Sequence, residues 1–162
     1  MKSSSATQIR SRGKILAMYQ TSSAPALASH DDVRNILLAD DDLGFRAALK
    51  RILETVQGFR VRQVSDGEEA VRFARLYRPD LILMDLSMPR LNGLEAVRLI
   101  KSAQPAMRVI VCSVHVGPVY RRAASLNGAD GFLPKSKCFS ELNWIERMAW
   151  ADPASQAGVA SS

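Results

Sequence analysis

Residues 36–42 read Ile-Leu-Leu-Ala-Asp-Asp-Asp, an apolar run that ends in acids, and this stretch decides the fold. Two later stretches have the same plan: the apolar run 81–84 ends at Asp85, and the run 131–134 ends at Lys135. In an open parallel α/β sheet the carboxyl ends of the strands meet along one edge, where ligands bind. If the three runs are parallel strands, acids and one amine converge at that edge. Clustered carboxylates repel one another unless a divalent cation lies between them. The pattern therefore predicts a magnesium-assisted phosphoryl-transfer site in which one carboxylate is free to act as nucleophile.

Five short apolar runs alternate with helical patterns along the chain. The predicted strands are 36–39, 59–64, 81–84, 109–112 and 131–133. Helices are predicted over 45–53, from 66 to about 77, over 94–102, from 118 to about 127, and along the apolar stripe Phe139, Leu142, Ile145 and Met148. Strands separated by helices indicate a parallel sheet with both faces covered. A TIM barrel would need about 250 residues, so we expect one open, doubly wound α/β domain.

Composition and charge limit the classes of function. The chain has 162 residues, 47% of them hydrophobic, which suits one domain with a sizeable core. Its net charge is +6, but residues 1–30 hold four Lys or Arg and no acid, so the basic balance is weak evidence for nucleic-acid binding. No apolar run approaches the ~20 residues that span a bilayer. We expect a flexible basic tail over 1–32, the folded domain over 33–150 and a disordered tail over 151–162. Cys112 and Cys138 are expected to be reduced thiols.

Several short motifs occur in an order and at a spacing that match one family. They are the acids Asp40 and Asp41, the set Asp85, Met88, Pro89 and Gly93, the strand-ending Ser113, and Phe132 three residues before Lys135. On these residues the chain from about 34 to 148 resembles the receiver domain of bacterial two-component response regulators. The resemblance implies a CheY-like, flavodoxin-like (βα)5 fold with a parallel sheet of order 2-1-3-4-5. The strings 85–89 and 127–132 are most similar to receivers of the LuxR/FixJ-type helix-turn-helix subfamily, although the sequence ends before such an output domain.

The resemblance implies a role for each residue at the predicted edge. Asp85 is the phosphoacceptor, which becomes a 4-aspartylphosphate. Asp41 is a direct Mg²⁺ ligand, Asp40 is a ligand through water, and Asp85 and the backbone carbonyl of Ser87 complete the set. Lys135 pairs with Asp85 before phosphorylation and with a phosphoryl oxygen afterwards. The third acid of the run, Asp42, is interpreted as a helix cap.

By the same resemblance, two further residues are interpreted as parts of a switch. Ser113 is the hydroxyl that turns to the phosphoryl group, and Phe132 rotates into the space that this movement opens. The alternative for Ser113 is a serine that bonds its own backbone at the end of a strand. His115 is two residues further on, and the hypothesis is that it tunes the lifetime of the acyl phosphate. The alternative is a solvated loop histidine.

The favoured function is a phosphorylation-dependent signalling switch in a phosphorelay. Its phosphodonor would be a histidine kinase or a phosphotransfer protein, and its chemistry would be limited to self-phosphorylation and self-dephosphorylation. The altered face around helix 4, strand 5 and helix 5 would bind a downstream protein or a second copy of the chain. We expect a cytoplasmic protein with no membrane segment and no direct contact with nucleic acid. Trp144 and Trp150 fall off the apolar stripe of the last helix, so exposure there would indicate an interface, unless Trp150 folds back onto the core.

Three alternatives remain open at this point. The chain could be the receiver part of a DNA-binding transcriptional regulator. It could also be a docking module that works without phosphorylation. A phosphatase of the haloacid-dehalogenase type also uses a strand-end aspartate, but it needs a second acid two residues later, where this chain has Ser87.

Overall fold

The computed structural model describes residues 33–56 and 58–150, and within them strands and helices alternate. The elements are β1 (Arg34–Ala39), α1 (Leu43–Leu53), β2 (Phe59–Val64), α2 (Gly67–Tyr77), β3 (Leu81–Asp85), α3 (Gly93–Ala103), β4 (Val109–Ser113), α4 (Pro118–Leu126), β5 (Gly131–Pro134) and α5 (Leu142–Trp150). A single 3-10 turn, Lys135–Lys137, follows β5. The proposed tails, 1–32 and 151–162, lie outside the described residues.

The five strands form one parallel sheet in the order β2-β1-β3-β4-β5, which confirms the expected flavodoxin-like topology. β1 pairs with β3 from Ile36 opposite Leu81 onward, and β3 pairs with β4 up to Asp85 opposite Cys112. The order of the strands reverses direction between β1 and β3. Ligand sites in such sheets lie at the carboxyl ends of the strands beside this reversal, and the acids at the ends of β1 and β3 lie there.

Helices cover both faces of the sheet, which explains why the strands are continuous apolar runs. Ile36 and Leu38 of β1 pack in one buried cluster with residues of α1 and α5. Leu37 and Ala39 pack in a second cluster with residues of α2, α3 and α4. Full burial of each large aliphatic side chain contributes roughly 1.5–3 kcal/mol. The two clusters hold the sheet rigid, so the strand ends have fixed positions.

Side-chain caps set where the helices begin. Asp42, Asp66 and Asn92 precede α1, α2 and α3, and each side chain accepts a hydrogen bond from the backbone N–H three residues later. This confirms the interpretation of Asp42 as a cap. Pro118 opens α4, a position where its missing N–H costs nothing.

The last helix differs from the prediction. α5 begins at Leu142, so Phe139 lies before it, where its ring meets the edge of the Phe45 ring with centroids 5.5 Å apart. Neither tryptophan is exposed. Trp144 packs on the α1–α5 face of the core, and Trp150 stacks on Phe59 at 6.4 Å. The alternative in which Trp150 folds back is therefore confirmed, and exposed tryptophans give no evidence of an interface.

Candidate functional site at the carboxyl edge of the sheet

The carboxylates that the sequence placed at strand ends meet at one point. Asp40 follows β1, Asp41 comes next, and Asp85 is the last residue of β3. One carboxylate oxygen from each of the three lies within 4.8 Å of the others. Asp40 and Asp85 are buried, whereas Asp41 is exposed to solvent. The cluster is therefore closed on the protein side and open toward water at Asp41.

Lys135 offsets part of the negative charge of the two buried acids. Its Nζ lies 2.6 Å from Asp40 Oδ2 and 3.2 Å from Asp85 Oδ2. Burial alone would lower the pKa of Lys135, but the ion pairs with Asp40 and Asp85 outweigh it, and the pKa is raised above its usual range. The amine is therefore a fixed positive charge at any physiological pH.

Asp85 has a contact on each of its two carboxylate oxygens. Its Oδ1 accepts a hydrogen bond from the Leu86 N–H at 2.8 Å, and its Oδ2 faces Lys135. Burial raises the pKa of Asp85, and the negative charge of Asp40 raises it further, while Lys135 and the Leu86 N–H act in the opposite direction. A carboxylate with little solvation and one oxygen beside an ammonium group is a suitable nucleophile toward an electrophile that carries negative charge.

The backbone around Asp85 is packed without spare room. A Cβ atom at Gly93 would overlap the carbonyl oxygen of Asp85, so only glycine fits at the start of α3. The Gly93 N–H donates to the carbonyl of Leu86 at 2.9 Å. These contacts close the loop 86–92, which contains Ser87, over the end of β3.

Ser113 and His115 lie at the end of β4. Ser113 is fully buried, and its Oγ accepts a hydrogen bond from the His115 N–H at 3.0 Å. Ser113 thus bonds the backbone at the end of its strand, as the alternative interpretation expects. A switch would have to break this bond and form another. The His115 ring stacks on Tyr120 of α4 with centroids 4.9 Å apart.

Phe132 of β5 is partly buried and packs on the core face beneath α2, α3 and α4. The guanidinium of Arg121, on α4, lies 4.7 Å from its ring centroid. A cation at that distance from an aromatic face is attracted to it. Phe132 is thus in contact with α4 on the side of the sheet where an output surface was expected.

The donor set fits a small hard dication. Carboxylate oxygens are the ligands that Mg²⁺ and similar ions bind, and Mg²⁺ keeps several waters, which the exposed side of Asp41 can accommodate. Lys135 contacts one oxygen of Asp40 and one oxygen of Asp85. The other oxygen of Asp85, Oδ1, faces the Leu86 N–H. The residues present can therefore hold a divalent metal.

Two contributors to the site had no signal in the sequence. Phe45, read only as part of an apolar stripe, lies beneath Lys135 with the amine 4.9 Å from its ring centroid. Arg46 donates to the carbonyl of Asp40. Both contacts depend on how α1 meets the sheet, which helical periodicity does not specify.

A parallel sheet of this order, with acids and an amine converging on its carboxyl edge, is the architecture of a receiver domain. Residues 36–145 match the response regulator receiver domain family, and the chain belongs to that family. Receiver domains are signalling modules of two-component systems, and they interact with histidine kinases or phosphotransfer proteins.

The chain is similar to several named proteins. The response regulator UvrY of Escherichia coli (strain K12) is 38% identical over 109 residues, which cover 67% of this chain and 50% of that protein. The response regulator domain of Thermotoga maritima CheB is 33% identical with a TM-score of 0.67, covering 75% of this chain and 99% of that one. The receiver domain of the putative response regulator NarL of Mycobacterium tuberculosis is 26% identical with a TM-score of 0.70, covering 75% and 99%. The chain spans about half the length of the curated relatives it matches.

Proposed function

We propose that this chain is a phosphorylation-dependent switch that accepts a phosphoryl group on Asp85. One observation carries the proposal: the Asp85 carboxylate lies 3.2 Å from the Lys135 amine and within 4.8 Å of the Asp40 and Asp41 carboxylate oxygens. The donor would be the phosphohistidine of a histidine kinase or phosphotransfer protein. An oxygen of Asp85 forms the new P–O bond, the P–N bond breaks, and the electron pair leaves on the imidazole nitrogen.

The residues at the carboxyl edge of the sheet would have two roles, metal binding and charge stabilisation. Asp40, Asp41, Asp85 and the backbone carbonyl of Ser87 would hold Mg²⁺, which offsets charge on the phosphoryl oxygens when bound. Lys135 is fixed between the acids and supplies positive charge on the side where a phosphoryl oxygen would arrive. The chain would thus catalyse only its own phosphorylation and its own dephosphorylation.

The signal would leave through the face formed by α4, β5 and α5. Ser113 would exchange its bond with the His115 N–H for one with the phosphoryl group, and Phe132 would move from beneath Arg121. Val116 and Val119 are exposed at the start of this face, which supports its use by a protein partner or by a second copy of the chain. Two alternatives remain: the receiver part of a DNA-binding regulator, or a docking module that works without phosphorylation.

A cytoplasmic location belongs to the same proposal. A cytoplasmic location is supported by two buried, free thiols, Cys112 and Cys138. Within residues 33–56 and 58–150, no helix has the length and apolar character needed to cross a bilayer.

His115, held against Tyr120 beside the site, would tune the lifetime of the acyl phosphate.

The test is the intact mass of the protein before and after incubation with acetyl phosphate and Mg²⁺. The wild type should gain one phosphoryl group, and Asp85→Asn should gain none. Asp42→Asn is the matched control, because Asp42 belongs to the same acidic edge but caps α1, and it should be labelled like the wild type. Failure of the wild type to gain mass with any small phosphodonor, with or without Mg²⁺, would favour the docking module.

A further inference from the structure

The loop that follows Asp85 contains a strained turn. The Leu91 N–H donates to the carbonyl of Pro89 at 2.8 Å, and Arg90 between them has a φ of 63°. A three-residue turn with a positive central φ is rare and strained, and this position holds a long side chain rather than glycine. Such a backbone persists only where surrounding contacts hold it, and it is concentrated at functional sites.

Arg90, at the centre of this turn, forms an ion pair with Asp66 at the start of α2. The Asp66 side chain is 1% exposed, and its other oxygen caps α2 by accepting a hydrogen bond from the Glu69 N–H at 2.8 Å. The carboxylate is therefore fixed to the start of α2. Arg90 is more than half exposed, so a mobile acid would bind it only weakly. A buried, immobile acid instead gives the arginine one defined position.

A second contact joins the same two segments. A Cβ atom at Gly67 would overlap the carbonyl oxygen of Leu91, so the first residue of α2 lies directly against the backbone of the loop. The other end of the loop is closed by the hydrogen bond from Gly93 to Leu86. The segment that contains Ser87 is thus held at its start by α3 and at its turn by α2.

We propose that the Arg90–Asp66 ion pair positions the loop 86–92, and with it the backbone carbonyl of Ser87, on the metal side of the site. This inference rests on the proposed function above. Arg90 does not touch the reacting atoms, so it is a positioning residue that acts through the loop. Its effect should fall on the affinity for the metal, since a ligand atom that is poorly held must be ordered when the ion binds.

The variants Arg90→Ala, Asp66→Asn and the double variant test the proposal. Asparagine is as good a helix cap as aspartate, so Asp66→Asn removes the charge while α2 stays capped. Isothermal titration calorimetry should show Mg²⁺ binding weakened by about tenfold in each single variant. The double variant should be no weaker than either single one, because both remove the same interaction. Labelling of Asp85 at saturating Mg²⁺ should stay within about twofold of the wild type.

Two comparisons separate positioning from general damage. Arg72→Ala removes the same charge beside the same helix terminus, where Arg72 pairs with Glu69 at 3.9 Å, and its Mg²⁺ affinity should match the wild type. Arg90→Lys keeps a positive charge and should recover part of the affinity. In metal-free protein, hydrogen exchange of the Leu91 and Gly93 amides should be faster in Arg90→Ala than in Arg72→Ala.

The outcomes separate this inference from the proposed function. Unchanged Mg²⁺ affinity in Arg90→Ala and Asp66→Asn, additive losses in the double variant, or an equal loss in Arg72→Ala would each overturn the inference, even if the wild type is labelled on Asp85. A weakened affinity with the expected coupling would support it. If the wild type then failed to take a phosphoryl group, the proposed function would fail and the role of the ion pair in metal binding would stand.

Discussion

Replacement of Lys135 by methionine removes the ammonium group that lies between Asp40 and Asp85 and keeps a side chain of similar length. The side chains of these three residues are 13%, 1% and 3% exposed. Loss of one partner from a buried ion pair costs about 3–5 kcal/mol. The edge is open to water at Asp41, which reduces this cost. We therefore expect Lys135→Met to lower the free energy of unfolding by about 2–4 kcal/mol at pH 7 without metal. For a domain of this size that corresponds to a fall in Tm of roughly 10 °C.

The direction of the pH dependence follows from the two pKa shifts. The pKa of Asp85 is raised by burial, so on acidification it takes up a proton earlier than an ordinary aspartate, and its repulsion with Asp40 falls. The penalty of Lys135→Met should therefore be largest at neutral pH and should shrink as the pH falls toward the point at which Asp85 is protonated. The pKa of Lys135 is raised, so the wild type keeps the contribution of the ion pairs below the usual lysine pKa and loses it only at strongly alkaline pH.

Urea unfolding at pH 7, with and without Mg²⁺, is the assay for Lys135→Met. Lys137→Met is the matched control, since Lys137 is exposed in the same 3-10 turn, and it should lose less than about 0.5 kcal/mol. Mg²⁺ should restore more stability to Lys135→Met than it adds to the control, because the ion supplies the missing positive charge. Equal unfolding free energies for the two variants, or a Lys135→Met penalty that grows on acidification, would show that Lys135 does not stabilise the buried acids.

Three further predictions concern single positions. Gly93→Ala should cost about 3 kcal/mol or more in urea unfolding, because the new methyl group overlaps the Asp85 carbonyl. Gly44→Ala, where the methyl group would lie 3.3 Å from the Asp42 side chain, should change stability by less than about 1 kcal/mol, and equal losses in the two variants would contradict this packing. In the metal-free protein the carboxyl group of Asp85 should take up its proton above the usual aspartate range, because burial raises its pKa; an NMR titration that places the proton uptake within or below that range would contradict the assignment. His115→Ala should change the rate of dephosphorylation followed by mass, and an unchanged rate would end the hypothesis for His115.

The strands and the acids at their ends were predictable because the information is local. Leu81–Asp85 is apolar at every position but the last, as expected for a strand covered on both faces. From Phe59 to Arg62, β2 alternates between buried and exposed residues, as expected for the edge strand that the sheet shows it to be. Once the strands are parallel and the helices lie between them, Asp40, Asp85 and Lys135 have to end on one edge.

What the sequence did not predict depends on contacts between distant segments. Arg90 and Asp66 are far apart in the chain, and neither differs from an ordinary loop residue or helix cap until α2 meets the loop after β3. The position of Phe45 under Lys135 likewise depends on the angle at which α1 crosses the sheet. The apolar stripe wrongly placed Phe139 in the last helix, since α5 begins only at Leu142. Spacing by three residues also fits a residue that lies just before a helix.

The site of phosphorylation can be read directly by chemical trapping. Borohydride reduces an aspartyl phosphate to homoserine, and peptide mass spectrometry then identifies the residue that carried the phosphoryl group. After incubation with acetyl phosphate and Mg²⁺, we expect homoserine at position 85 and unmodified aspartate at positions 40 and 41. Homoserine at 40 or 41, or label that resists borohydride, would contradict this expectation.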